Sequence, residues 1–164
     1  GETGRVIGVD MTPAMLTKAR ANAEQGGYAN VEFRLGEIEH LPVADRSVDV
    51  ILSNCVINLS PDKPRVFAEC FRVLRPGGRL AISDVVAFAD IPAHIREDMA
   101  LLTGCMAGAT PIAELEEVLH ALGFEDVRIA PKEESKSFIR EWAPGTPVTD
   151  YVVAATIEAV RPVG

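Results

Sequence analysis

Short apolar runs alternate with longer stretches of helix-forming residues over the first half of this chain. Residues 5–9 are an apolar run closed by Asp10, and Thr12-Pro13 reads as an N-cap followed by proline at the first helical position. Helix formers fill residues 14–25, and Gly26-Gly27 stops them. Val31–Leu35 alternates apolar and polar as a strand does, and residues 36–45 are loop-like. Residues 48–53 are a second apolar strand. Ser60-Pro61 then caps a helix reaching about Leu74, Arg75-Pro76-Gly77-Gly78 makes a turn, and residues 79–83 form a strand ending at Asp84.

The second half is less regular. Residues 92–103 suit a helix, and residues 104–109 (GCMAGA) suit a close-approach loop. Thr110-Pro111 starts a helix with Leu115, Val118, Leu119 and Leu122 on one side, and Gly123 ends it. Residues 127–130 and 151–157 are strand-like and are expected to pair antiparallel across a long connection, 131–150, anchored by Trp142. Strands alternating with helices predict βαβ units, hence an α/β domain with a mainly parallel sheet. Neither a repeat nor a boundary divides residues 1–164, which read as one domain.

The segment 48–59 (VDVILSNCVINL) stands out. A run this short and rich in Val, Ile and Leu predicts a strand buried on both faces. Its polar end, Ser53-Asn54-Cys55, would open into the crevice beyond the carboxyl ends of the sheet, where open α/β sheets bind ligands.

A net charge of −8 without a Lys/Arg-rich run disfavours nucleic acid, whose phosphates require clustered cations. No apolar stretch approaches the roughly 20 residues of a membrane span, and no signal peptide opens the sequence, so it reads as cytosolic. Three cysteines, Cys55, Cys70 and Cys105, without a CxxC pair, argue against disulfide and zinc frameworks. Cys70 shares a helical face with Phe67, Phe71 and Leu74 and belongs to the core.

A strand ending in an acid and followed at once by a helix is the ribose-binding half of a nucleotide site. Asp10 can accept from two vicinal hydroxyls. Met11 offers an apolar surface for a purine, and Gly36-Glu37-Ile38, after the next strand, can line its other side. The glycine-rich turn that usually accompanies such a site is absent, and Gly1-Glu2-Thr3-Gly4 reads as the turn entering a second strand.

Three segments carry a family likeness: GRVIGVDMTPAML at the start, SNCVINLSPDKPRVFAECFRVLRPGGRLAISDV in the middle, and TGCMAGA near residue 105. The tail from SFIREWAPG to TDYVVAATIEAV extends it. The chain resembles the S-adenosylmethionine-dependent arsenite methyltransferases, within the Rossmann-like class I methyltransferases. RPGG is general to that class, whereas SNCVINL with GCMAGA is specific. The resemblance implies a mostly parallel sheet with a C-terminal antiparallel hairpin, lacking its first β-α unit. It implies that Asp10 holds the ribose hydroxyls of S-adenosylmethionine, that Met11, Gly36, Glu37 and Ile38 surround the adenine, and that Asn54 lies near the cofactor. Cys55 and Cys105 would be thiolate ligands of trivalent arsenic, presented as arsenite or a thiol conjugate. Family members carry a further cysteine upstream of these segments.

Such roles suit the chemistry. Trivalent arsenic is soft, so thiolates are its natural ligands, and a thiolate near neutral pH needs a lowered pKa or a bound metal centre. Thiol ligation leaves the arsenic lone pair free to take a methyl group, with no general base. Two other readings stay open: methylation of a small organic acceptor such as a quinone- or sterol-like ring, and a non-catalytic arsenic-binding module. In the latter, two strand edges flanking a missing strand could be completed by a second copy in a homodimer.

Overall fold

The β-α-β rhythm folds as two parallel units. A computed structural model describes residues 3–102 and 104–164; Gly1 and Glu2 of the expected opening turn and Thr103 of the expected helix lie outside the described residues. Strand β1 (Val6–Asp10) pairs in parallel with β2 (Val31–Leu35), from Val6 opposite Val31 to Asp10 opposite Leu35. Helix α1 (Pro13–Gln25) crosses between them, with Pro13 in its first turn, where a missing N–H leaves no bond unmade.

The second unit is β3 (Val48–Asn54), α2 (Lys63–Val73) and β4 (Leu74–Ala87), with β3 and β4 parallel. After α3 (Ala93–Leu102) and α4 (Gly104–Ala107), the two-residue β5 (Thr110–Pro111) adds in parallel to the end of β4. Helix α5 (Ile112–Ala121) leads to β6 (Glu125–Pro131), and α6 (Lys136–Trp142) precedes β7 (Val152–Val160). The larger sheet runs β3-β4-β7-β6, and β7 is antiparallel to both neighbours, as the strand-like patterns at 127–130 and 151–157 require.

Alternation along β4 sorts the core onto two faces. Leu80, Ile82 and Val86 meet Phe67 and Cys70 of α2, Leu74 at the start of β4, and Leu115 and Leu119 of α5. Val85 and Ala87 meet Met106 of α4, Ile139 of α6 and Val148. Phe67 and Leu119 are fully buried.

Several expectations need correction. Strand β3 is not buried on both faces: Ile51 packs on the core, but Leu52 is 78% exposed. Among the described residues β3 pairs only with β4 and β1 only with β2, so each has one open edge. The RPGG segment is not a turn between elements but part of the long β4, because the residue that follows β7 continues the ladder across it. Gly77 donates to the Arg161 carbonyl and Arg161 to the Gly78 carbonyl, both at 2.8 Å. A side chain at Gly78 would lie 2.9 Å from the Arg75 carbonyl oxygen and 3.1 Å from that of Asp49, so only glycine lets the strands meet there. Asp62, not Ser60, caps α2, accepting from the Arg65 N–H at 3.0 Å. The GCMAGA loop begins as the helical turn α4, and the 131–150 connection contains α6. Ile139 and Ala143 anchor that connection; Trp142 stays 40% exposed against Phe138.

The 36–45 loop joins the two units through buried charge. Glu69 of α2 is 5% exposed and accepts from the Leu41 N–H at 2.8 Å and from Arg72. Arg72 in turn donates to the carbonyls of Leu41 and Val43, both at 2.9 Å. Arg72 holds the Glu69 carboxyl below its ordinary value, so the folded state favours the carboxylate. That stabilisation is present above the unfolded-state value, about pH 4.3, and is lost as pH falls through the lower folded-state value. A Glu69→Gln protein is therefore expected to melt below wild type at pH 7, with the gap closing below about pH 4. Melting curves from pH 7 to 3 check this, and a gap constant over that range contradicts it.

Candidate functional site

Two groups of polar side chains sit beyond the carboxyl ends of the parallel strands. The first is the tip of β1. One Asp10 carboxylate oxygen accepts from the Thr12 N–H at 2.7 Å, and the other has no partner among the described residues. The Asp10 carbonyl accepts from the Gly36 N–H at 3.1 Å, which ties the ends of β1 and β2 together. The structure thus brings Asp10 beside Gly36-Glu37-Ile38, as expected. Met11 is 69% exposed, Glu37 is exposed, and Ile38 packs partly on the core. A side chain at Gly36 would fall 2.6 Å from the Pro42 ring, so the loop can fold back here only over glycine.

Asn54 is exposed at the end of β3. It lines a shallow depression on the open sheet face with Leu52, Ala81, Ser83, Lys132 and Thr156, none of which belongs to β1 or β2.

The second group forms where β3 and β4 end. Cys55 follows β3 directly. Its N–H donates to the Ser83 carbonyl at 2.9 Å, and its φ of 53° lies in the left-handed region. Side chains occupy that region at a cost of about 1–2 kcal/mol, and such strain concentrates at functional positions. Cys105, on α4, lies 50 positions away in sequence, yet its Sγ donates to the Cys55 carbonyl at 3.0 Å. Both residues are partly exposed. Cys70, by contrast, is 4% exposed in the core, where burial pushes its thiol up to about 12.

Beneath the thiols lies Asp84, 2% exposed. It accepts from the N–H groups of Val85 (2.8 Å) and Ile57 (3.1 Å) and from the Asn58 amide nitrogen (2.9 Å). That nitrogen also faces the carbonyls of Val85 at 2.6 Å and Cys105 at 3.0 Å. From sequence, Asp84 fits an ordering role or a cap equally well; Asn58 is not singled out at all. The signal for Asn58 is a carboxamide inside the apolar run 56–59, since a buried polar group in such a run must find partners.

The electrostatics run against spontaneous thiolates. Burial raises the pKa of Cys55 and of Cys105, and the Asp84 charge raises both further. Of the two conditions set for a thiolate near neutral pH, the lowered pKa is not met here. The alkylation rates of Cys55 and Cys105 are expected to rise with pH through midpoints above the ordinary cysteine value of about 8.5. Site-resolved iodoacetamide labelling measures this, and a midpoint near 7 contradicts it.

With a parallel β-α-β frame, an acid at the first strand tip and an exposed polar edge beyond the sheet, the chain has the make-up of a Rossmann-like α/β domain. It belongs to the methyltransferase-domain family, whose model matches residues 1–138. Over 99% of its length it is 56% identical to the arsenite methyltransferase of Halobacterium salinarum. It is 46% identical to that of Aquipseudomonas alcaligenes over 79% of its length. The chain spans only 41% and 39% of those two relatives. Its structure superposes on the crystal structure of an arsenic (III) S-adenosylmethionine methyltransferase from Chlamydomonas reinhardtii with a TM-score of 0.75. That match has 35% identity and covers 99% of this chain and 56% of the other. A putative sarcosine dimethylglycine methyltransferase from Galdieria sulphuraria shares the fold, with a TM-score of 0.78 and 19% identity. The class I methyltransferase architecture, mostly parallel with an antiparallel C-terminal pair, is thereby established. No helix among the described residues is long and apolar enough to cross a membrane.

Proposed function

We propose that the protein methylates trivalent arsenic from S-adenosylmethionine, with Cys55 and Cys105 as two of the groups that hold the arsenic. One observation carries the reading. Two cysteines from distant segments come together beyond the sheet, the Cys105 sulfur 3.0 Å from the Cys55 carbonyl, and both are partly exposed. The named relatives support it.

The residues at the β1 tip fit the nucleoside part of the cofactor. One Asp10 carboxylate oxygen is left for ribose hydroxyls, and Met11, Gly36, Glu37 and Ile38, at or near the same strand tips, would border the adenine. Asn54, at the end of the adjacent unit, is the proposed contact from β3. When bound, S-adenosylmethionine supplies a methyl group activated by its sulfonium.

Neutral thiols suffice for capture. Arsenite carries hydroxyl groups on arsenic. Each thiol gives its proton to one departing hydroxyl, which leaves as water while an arsenic–sulfur bond forms. The raised pKa values of Cys55 and Cys105 keep both protons in place for that exchange. Arsenic retains its lone pair, so the protein has no proton to remove before methylation. Its remaining task is alignment, which supplies several kcal/mol of the barrier in well-oriented reactions.

Incubation with methyl-labelled S-adenosylmethionine tests the reading. Label is expected in methylated arsenic only when arsenite is added, and label moving instead to an organic acceptor would overturn it.

A further inference from the structure

We propose that Asn58 is a positioning residue that brings Cys105 to Cys55. The inference rests on the reading of those thiols as the arsenic-holding pair, and it names the side chain that makes them converge.

Cys55 and Cys105 belong to elements far apart in sequence; the buried Met106 seats α4 on the end of β4, and what remains to be set is the direction in which the backbone of Cys105 faces. Cys55 is fixed by its own N–H to the Ser83 carbonyl at 2.9 Å, as an extension of β3. Cys105 sits on α4, a helix of four residues, too short to hold its own orientation. Asn58 spans the two. It stands three positions after Cys55 in a 3₁₀ turn, is 8% exposed, and points its amide nitrogen at three oxygens. Two belong to the end of β4: the Asp84 carboxylate at 2.9 Å and the Val85 carbonyl at 2.6 Å. The third is the carbonyl of Cys105 itself, at 3.0 Å. Two N–H bonds serve three acceptors, so one is shared, which is common in compact turns. The sheet end thus orients the carboxamide, and the carboxamide holds α4 by the backbone of the residue that carries the thiol. The Cys105 Sγ to Cys55 carbonyl contact at 3.0 Å is the outcome.

The test measures convergence without arsenic. Dibromobimane alkylates one thiol and then bridges to a second only if that lies within its short span. The ratio of bridged to singly labelled Cys55 and Cys105, read by peptide mass spectrometry, therefore reports proximity whatever the overall reactivity. Asn58→Ala is expected to lower this ratio about fivefold or more, as lost preorganisation does. Asn58→Ser keeps one hydroxyl donor in the buried site in place of the two N–H bonds that face Asp84, Val85 and Cys105, so it cannot bond the end of β4 and the Cys105 carbonyl at once. It should fold where the alanine variant does not and show the same loss. An unchanged ratio in folded Asn58→Ser, even with a lower melting point, would mean a purely structural residue and overturn the proposal. Failure of the metalloid reading looks different: arsenite would bind Cys55→Ser and Cys105→Ser as tightly as wild type, whatever the bridging ratio.

Discussion

Arsenite affinity is expected to fall by roughly two orders of magnitude or more in Cys55→Ser, and as far in Cys105→Ser, because each leaves arsenic on one fewer sulfur. The reason is the linkage between the sites. Once one sulfur has captured arsenic, the second meets it at the effective concentration set by the fold, and tethered attachments of this kind gain about 10²–10⁴ over single ones. Serine keeps the shape but offers a hard oxygen, which trivalent arsenic does not prefer. The two variants should resemble each other because the Cys105 thiol lies against the Cys55 backbone and, in the proposed site, each sulfur depends on the other. Cys70→Ala supplies the control: that residue is buried on α2 in the core, away from both thiols, and its loss should leave affinity unchanged. Titration following the ultraviolet absorption of arsenic–sulfur bonds reads all three. Wild-type affinity in either serine variant would remove the paired-thiol site.

Much of this was legible in the sequence, for definable reasons. The apolar runs before Asp10 and Asn54 and the alternating run 31–35 mark strands because local pattern decides strand from helix, and their alternation with helices makes them parallel. The placement of Asp10 beside residues 36–38 follows from parallel pairing, which puts successive strand tips at one edge. What escaped depends on distant partners. Whether Leu52 is covered turns on what lies over one face of β3, a property of neighbours and not of the run itself. The extension of β4 through RPGG needs the backbone bonds of Arg161, the residue that follows β7. Asn58 was invisible because its acceptors lie 26, 27 and 47 positions away. The thiol pair itself came from family likeness; spacing alone would not have joined residues 50 apart.

The second large effect is expected at Asp84, where Asp84→Ala should reduce the free energy of unfolding by about 3 kcal/mol, from buried donors left without acceptors at about 1–3 kcal/mol each. The Ile57 and Val85 N–H groups both lose their side-chain acceptor, at a site where Asp84 is only 2% exposed. Asn58 keeps its two carbonyl partners and so adds less. Linkage sets a distinctive pH signature. Burial raises the Asp84 carboxyl above its ordinary value in the folded state. The unfolded chain therefore releases this proton first, and Asp84's contribution falls as pH rises from about 3.9 through the higher folded-state value. Wild type should thus exceed Asp84→Ala by most in acid, the reverse of the Glu69→Gln comparison. The same variant should lower the alkylation midpoints of Cys55 and Cys105, because the Asp84 charge helps to keep both thiols protonated. Urea unfolding from pH 3 to 7, paired with thiol labelling, reads both effects on one protein. A stability within about 0.5 kcal/mol of wild type, the range of an ordinary surface substitution, would show that the carboxylate does not hold the ends of β3 and β4 together beneath the thiols.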